Sequence, residues 1–332
     1  MAAAALVALA LTLGACGEKT DRIQPAAGDT QSISLALDWL PNADHVGIYE
    51  AQADGIFRRA GLDVHLHVPS NPAEPLSLLE SGRIDVAISY EPELMLARSQ
   101  GQTVLGFGAI VQRPLTSVIA LGSKHIHSIA DLRGKTIGTA GIPYQRAYLK
   151  TMLAHAHVPA RSVHVVNVGS NLVGAMLSGR VDATLGGFSN YEAIELRLRH
   201  KHPTVIPVSR GGVPSYDELV LVTTETYFAN HNNELRRLVQ AIGRGYAAVR
   251  ADPAAGVRAL DAANPSLDPK LETAAVKATL PAFFPAAGKP WGWQYQARWN
   301  AFGRWMTHEN LIDGPRAWAA ASTNQLLAGQ GP

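Results

Sequence analysis

SGRIDVAISYEPE (81–93) and SGRVDATLGGFSN (178–190) are the same join made twice, with different residues after the aspartate. In each copy a run with helical spacing ends at Ser-Gly, where glycine supplies the left-handed cap that stops a helix. Arginine then has the helix end to interact with, and aspartate opens a buried strand. Working outward, SISLALDWL (32–40) alternates and then turns apolar, as a strand does, and Val46, Tyr49, Ala53, Ile56 and Phe57 have helical spacing. LDVHLHV is the next strand, NPAEPLSLLESG a proline-started helix, and Ile84–Ser89 a third strand. The alternation resumes after residue 120: the helix PYQRAYLKTMLAHA, the strand VHVVNVG, the helix NLVGAMLSG, the strand VDATLGG, then a helix around Tyr191–His200 and the strand TVIPVS.

Two βαβα sets predict an α/β protein of two lobes, each a mostly parallel sheet flanked by helices, with a hinge between them. The boundaries read as 32–118 with 219–332 for lobe one and 119–218 for lobe two. The tail returns to lobe one after the strand ELVLVTT (218–224). Its helix Asn233–Arg250 carries Leu235, Leu238, Ile242, Tyr246 and Val249 on one face, and Trp299, Phe302, Trp305 and Met306 form a second stripe that reads as core.

The first residues are apolar from Met1 to Ala15, too short a run for a span of about 20 residues. They resemble a secretory signal (1–15) that ends in Leu13-Gly14-Ala15-Cys16, a bacterial lipobox, which implies cleavage before Cys16 and lipidation of its thiol. Residues 16–31 read as a flexible tether. The expected location is the outer face of a bacterial membrane, in the periplasm or at the cell surface. Cys16 is the only cysteine, which excludes internal disulfides, thiolate metal clusters and Cys-x-x-Cys redox chemistry. With 29 basic and 27 acidic residues and no basic block, the chain lacks the electropositive face that nucleic acid needs.

Ligands bind such sheets at the loops that leave the carboxyl ends of the strands. Four segments qualify: DWLPNADH (38–45), SYEPE (89–93), GTAGIPYQR (138–146) and GGFSNYE (186–192). They combine the aromatic faces of Trp39, Tyr90, Tyr144, Phe188 and Tyr191 with Asn42, His45, Glu91, Glu93, Asn190 and Glu192. Aromatic walls with sparse polar groups suit a flat, nitrogen-containing small molecule. A carboxylate such as Glu192 accepts a bond from an exocyclic amine or pairs with a protonated ring nitrogen.

LALDWLPNADHVGIYEAQADGIFRRAGLDV resembles the opening of bacterial thiamine-pyrimidine-precursor binding proteins, the type II periplasmic substrate-binding components of ABC importers. The likeness continues through SGRIDVAISYEPELMLA, VQRPLTSVIAL, IADLRGKTIGTAGIPYQRAYLK and PWGWQYQARWNAFGRWMTHENLI, nearly all of 33–312, with Trp-x-Pro-Asn-x-x-His its most specific motif. The resemblance implies a solute-binding monomer with an ABC permease as partner and no cofactor. It puts Trp39 and Asn42 in the pyrimidine pocket, His45 at the start of the first helix, Tyr90 at a strand end and Glu192 on the amino edge. The chain departs from the family at Phe188-Ser189, where relatives have Trp-Asp, and at VPSYDELVL, which leaves Tyr216 and Asp217 in place of an aromatic pair.

The resemblance extends to the fungal thiamine pyrimidine synthases, but Ser89 and Glu93 stand at the positions of the lysine and histidine that chemistry needs, so no enzyme is expected. Gly134-Lys135-Thr136 is not a P-loop, because the required first glycine is Ile129, and Ser189 lacks the second glycine of a nucleophile elbow. Four His-x-His pairs, at 65/67, 125/127, 155/157 and 200/202, are dispersed and read as solvent-facing rather than metal-ligating. The same fold could instead hold riboflavin, a sulfonate or nitrate. For an anion, Arg113 and Arg146 are the candidate ligands.

Overall fold

The computed structural model describes residues 30–71 and 74–330; Cys16, the signal segment and nearly all of the tether lie outside the described residues. The first sheet contains β1 (Gln31–Ala36), β2 (Leu62–His67), β3 (Val86–Ser89) and β4 (Val104–Val111). The second contains β5 (Thr116–Ala120), β6 (Thr136–Thr139), β7 (His164–Asn167), β8 (Ala183–Phe188) and β9 (Thr204–Pro207), and β10 (Leu219–Thr224) completes the first. The strand orders are β2-β1-β3-β10-β4 and β7-β6-β8-β5-β9. In each sheet the first three strands are parallel, and the fourth, β10 or β5, runs antiparallel to both neighbours. That fourth strand is the one that has just crossed from the other lobe, so each crossing is anchored inside a sheet. The first crossing lies between Val111 and Thr116, a few residues before the 118/119 junction expected from sequence.

The repeated join gains its physical role here. Gly82 and Gly179 have φ of 69° and 74°, the left-handed conformation that ends both helices at no side-chain cost. The Arg83 N–H donates back to the Leu78 carbonyl at 2.9 Å, closing the helix end. Both arginine side chains are exposed; the aspartates, not the arginines, do the tying. Asp85 accepts from the N–H (2.8 Å) and Oγ (2.6 Å) of Ser34 on β1. Asp182 accepts from the Thr136 N–H on β6 (2.9 Å) and pairs with Lys124 at 2.9 Å. Each carboxylate thus pins a new strand beside the parallel strand already laid down.

After β10 the chain is helical and packs on lobe one. The helix Asn232–Ala251 crosses Val46–Ala53 so closely that a Cβ on Gly245 would stand 2.0 Å from the Gly47 carbonyl oxygen. The aromatic stripe is core: Trp299, Phe302 and Met306 are buried. Phe302 packs against Tyr216 with tilted rings (4.8 Å), and Tyr216 meets Tyr148 of the second lobe at 5.7 Å, so an aromatic joint links the lobes. Among the described residues no helix is long and apolar enough to cross a membrane.

Three of the four His-x-His pairs do not lie on strands. His125, His157, His200 and His202 have positive φ and occupy turns, where histidine tolerates the left-handed region better than most residues. Only His65 and His67 share a strand.

Asp85→Ala is expected to lower unfolding free energy by about 1–3 kcal/mol, because it orphans the Ser34 N–H. Arg83→Ala in the same motif should change it by less than about 0.5 kcal/mol. Urea denaturation of both variants checks this; equal effects would refute the assignment.

Candidate functional site

The loop after β1 folds on itself. Asn42 caps the short turn Ala43–His45: its side-chain oxygen accepts from the Asp44 N–H at 2.7 Å, and its own N–H donates to His45 Nδ1 at 3.3 Å. With Nδ1 used as an acceptor, the proton of the neutral ring sits on Nε2, which donates to Asp38 Oδ1 at 2.8 Å. The other Asp38 oxygen accepts from the Tyr90 hydroxyl at 2.7 Å, reaching across from the end of β3. The Trp-x-Pro-Asn-x-x-His spacing is therefore a self-capped turn that aims one carboxylate at a tyrosine.

Between the lobes lies a cleft enclosing about 550 Å³ of empty space, part of it open to solvent. Lobe one contributes Asp38, Trp39, Asn42, Asp44 and Tyr90; lobe two contributes Ala140, Ile142, Tyr144, Gln145, Leu172, Gly186, Phe188, Tyr191 and Glu192; Thr116 comes from the end of the first crossing. Seven of the residues singled out from sequence meet here: Trp39, Asn42, Tyr90, Tyr144, Phe188, Tyr191 and Glu192. Tyr90 and Tyr144 face each other from opposite lobes, their rings 6.4 Å apart.

Six others fall outside this lining and support it. His45 is fully buried behind Asp38. Glu91 accepts from the Asp217 N–H at 2.7 Å, and Asp217 accepts from the Trp299 indole at 2.9 Å. Glu93 accepts from Ser89 Oγ at 2.7 Å. Tyr216 belongs to the aromatic joint. Asn190 spans the lobes, donating to Asp44 Oδ1 (2.7 Å) and to Thr279 Oγ1 (2.6 Å). Glu91 and Glu93 stand in the first turn of the helix Glu91–Ser99, where Glu91 reaches Asp217 and Glu93 folds back onto Ser89, so neither lines the cleft. Conversely, Asp38, Asp44, Thr116, Ile142, Gln145 and Leu172 line the cleft without having been singled out. Asp38 and Asp44 stand within the DWLPNADH segment, and their signal was present: two acids flanking the capping asparagine.

The electrostatics are one-sided. Three carboxyl groups (Asp38, Asp44, Glu192) line the cleft, and no lysine, arginine or histidine is among its lining residues. Burial pushes the Glu192 carboxyl up to about 7, although it accepts the Phe188 N–H at 2.6 Å. Burial, and then the charge of Asp38, hold Asp44 well above the usual carboxylate range. Its Oδ2 is buried without a hydrogen-bond partner. The two anion candidates stand elsewhere: Arg146 is exposed and outside the lining, and Arg113 borders a different cavity.

The crossings are tied together by one residue. Glu218, fully buried just before β10, accepts from the N–H groups of Leu115 (2.6 Å) and Thr116 (2.9 Å) and from Thr116 Oγ1 (2.8 Å). Burial nevertheless raises its carboxyl to about 7.

The architecture is that of a periplasmic binding protein. The alkanesulfonate-binding protein SsuA of Xanthomonas axonopodis pv. citri, solved with MOPS bound, superimposes with a TM-score of 0.70 at 16% identity, over 90% of this chain and 99% of that one. Within that class the sequence is more specific. Residues 42–256 match the NMT1/THI5-like family model, and the chain belongs to that family. It is 34% identical to the formylaminopyrimidine-binding protein of Halalkalibacterium halodurans, over 86% of this chain and 87% of that one. A 4-amino-5-hydroxymethyl-2-methylpyrimidine phosphate synthase of Saccharomyces cerevisiae, THI13, is more distant, at 24% identity over 68% of each chain.

Glu218 sets a pH dependence. Its folded-state pKa lies above its unfolded value, so its contribution to stability is full below about 4.5 and is lost as pH rises through about 7. A rise from 4.5 to about 7 corresponds to roughly 3 kcal/mol at most. Glu218→Gln should therefore remove part of the fall in stability between pH 5 and 8, read as Tm or denaturant midpoint across that range, the rest belonging to Glu93, Glu192, Asp217 and Glu272, whose carboxyl groups burial also raises to about 7. An unchanged slope would show that Glu218 does not carry the shift.

Proposed function

We propose that this protein is the extracytoplasmic solute-binding component of an ABC importer, and that it captures a thiamine pyrimidine precursor of the formylaminopyrimidine or hydroxymethylpyrimidine type. The observation that carries this reading is the cleft lining: aromatic walls, three carboxyl groups and no basic side chain. An aminopyrimidine offers a flat ring to Trp39, Tyr90 and the aromatics of lobe two. Its exocyclic amine donates to Glu192, and the side chains of Asn42, Thr116 and Gln145 are within the same lining to orient the remaining ring edge. A sulfonate or nitrate would meet three carboxyl groups and no basic side chain where it needs cations, so the likeness to SsuA is one of fold alone.

Binding rather than catalysis is the role. Ser89 and Glu93 hydrogen-bond to each other at the positions where the synthase chemistry would need a lysine and a histidine. The relative at 34% identity is itself named for formylaminopyrimidine binding. Closure follows from contacts made better with the lobes together. The Asn190–Asp44 bond and the 2.8 Å bond from the Tyr191 hydroxyl to Glu272 span the lobes beside the cleft. The closed form, as a monomer, is then what the permease recognises. A lipid on Cys16 and the 16–31 tether would hold it at the outer face of a bacterial membrane.

Trp39→Ala and Glu192→Gln should each weaken precursor binding about ten-fold or more, about 1.4 kcal/mol, with the unfolding midpoint nearly unchanged. A thermal-shift and titration panel of hydroxymethylpyrimidine, its formylamino precursor, thiamine, riboflavin and alkylsulfonates tests the ligand class. Stabilisation by sulfonates alone would overturn the pyrimidine reading.

A further inference from the structure

One side chain of the cleft lining carries a hydrogen-bond donor that the protein itself leaves unused. Gln145 stands in the first turn of the helix Pro143–His155 and is only 2% exposed. Its Oε1 accepts from the Ala140 N–H at 3.0 Å, just past the end of β6. A backbone N–H can only donate, so this bond fixes which end of the amide is oxygen and which is NH2. Among the described residues Nε2 has no hydrogen-bond partner, yet it is not one of the unpaired atoms sealed inside the protein, as Asp44 Oδ2 is. Its accessible surface opens on the cleft, because Gln145 and the residue beside Nε2, Gly186, both line it.

Strand β8 makes room for this donor. Ser117 pairs with Gly187 and Val118 with Leu185, which leaves Gly186 as the extra residue of a β-bulge. Its φ of 115° is a conformation that glycine adopts freely and other residues rarely do. A Cβ there would overlap the Gln145 amide nitrogen. At the next position, a Cβ on Gly187 would stand 3.5 Å from Glu192 Cβ. A fixed donor, the Gln145 amide, and an acceptor, the Glu192 carboxyl, therefore stand beside consecutive glycines at one end of one strand. The hydroxyl protons of three other lining residues, Tyr90, Thr116 and Tyr191, are already spent on carboxylates of the protein.

We infer that Gln145 is a specificity-determining ligand contact and that Gly186 is the residue that positions it. Together Gln145 and Glu192 read an amidine edge: an unprotonated ring nitrogen that accepts, beside an exocyclic amine that donates. The inference rests on the pyrimidine reading above and adds to it the atom the ring must present next to its amine. A ring with C–H at that place leaves the Gln145 donor buried and unpaired, which is what makes the contact selective.

The test is calorimetric titration of the full chain with hydroxymethylpyrimidine and with its pyridine analogue, in which the ring nitrogen beside the amine is replaced by C–H. The wild-type protein is expected to bind the analogue more weakly by about ten-fold or more. Gln145→Met and Gly186→Ala should each weaken binding of hydroxymethylpyrimidine by about ten-fold or more and lose most of the preference between the two compounds. A role confined to packing would lower both affinities and leave their ratio intact. The wild-type comparison needs no folded variant. Equal binding of the two compounds by the wild type, or variants that keep its preference, would overturn the inference and leave the pyrimidine reading standing. No binding of hydroxymethylpyrimidine by the wild type would overturn both.

Discussion

The Asp38 carboxylate organises the cleft. One oxygen holds the His45 imidazole and the other the Tyr90 hydroxyl, so a loop from the first strand and the end of the third are fixed to each other at a single buried charge. The constraint is exacting because a buried carboxylate left with one partner is costly. That accounts for the turn around it: Asn42 caps Asp44, His45 is oriented by the Asn42 N–H, and the proton on Nε2 has only one place to go. Trp39 and Asn42 then stand beside the cleft because the residues on either side of them are already committed.

The two lobes meet this pivot through contacts of different kinds. The aromatic joint of Tyr148, Tyr216 and Phe302 is a packed, undirected connection. Glu218 is directed, holding the two crossings in register by accepting from backbone N–H groups at the start of β5. Asn190 and Tyr191 bond across the cleft beside its lining, to Asp44 and Glu272. A binding protein needs a hinge that is tight in register and latches that form only when the lobes are together, and these sets divide that work. Most of the buried carboxyl groups at the hinge and cleft follow from the same division, since Asp38, Asp44, Glu91, Asp217, Glu218 and Glu272 accept bonds that link separate segments, while Glu93 and Glu192 accept local ones.

Much of this architecture was legible because the signals are local. A helix stop at Gly82 or Gly179 followed by a strand start is written in five consecutive residues, and repeating it revealed two lobes. The cleft aromatics were legible too, since the end of a parallel strand is a positional rule and Tyr90 or Phe188 can be counted to it. Glu91, Glu93 and Asn190 stand outside the lining because what a side chain meets at a helix start, or in the turn before one, depends on its rotation and its partners and not on its place in the segment. Glu91 turned toward Asp217, Glu93 toward Ser89, and Asn190 toward Asp44 and Thr279. Asp38 and Asp44 are hard to read from sequence, because an acid in a strand-end loop announces a cap or a surface before it announces a cleft wall. The roles of Asp85 and Glu218 required knowing which strands become neighbours, a property of the sheet rather than of any segment.

The central claim is that an acid-lined aromatic cleft selects an amine-bearing pyrimidine ring. Its most direct test is a crystal structure of the protein with formylaminopyrimidine. The ring is expected between the aromatic side chains of the two lobes, with the exocyclic amine within hydrogen-bond distance of the Glu192 carboxyl. A ring bound outside the cleft, or one whose amine points to solvent while another edge meets Glu192, would contradict it.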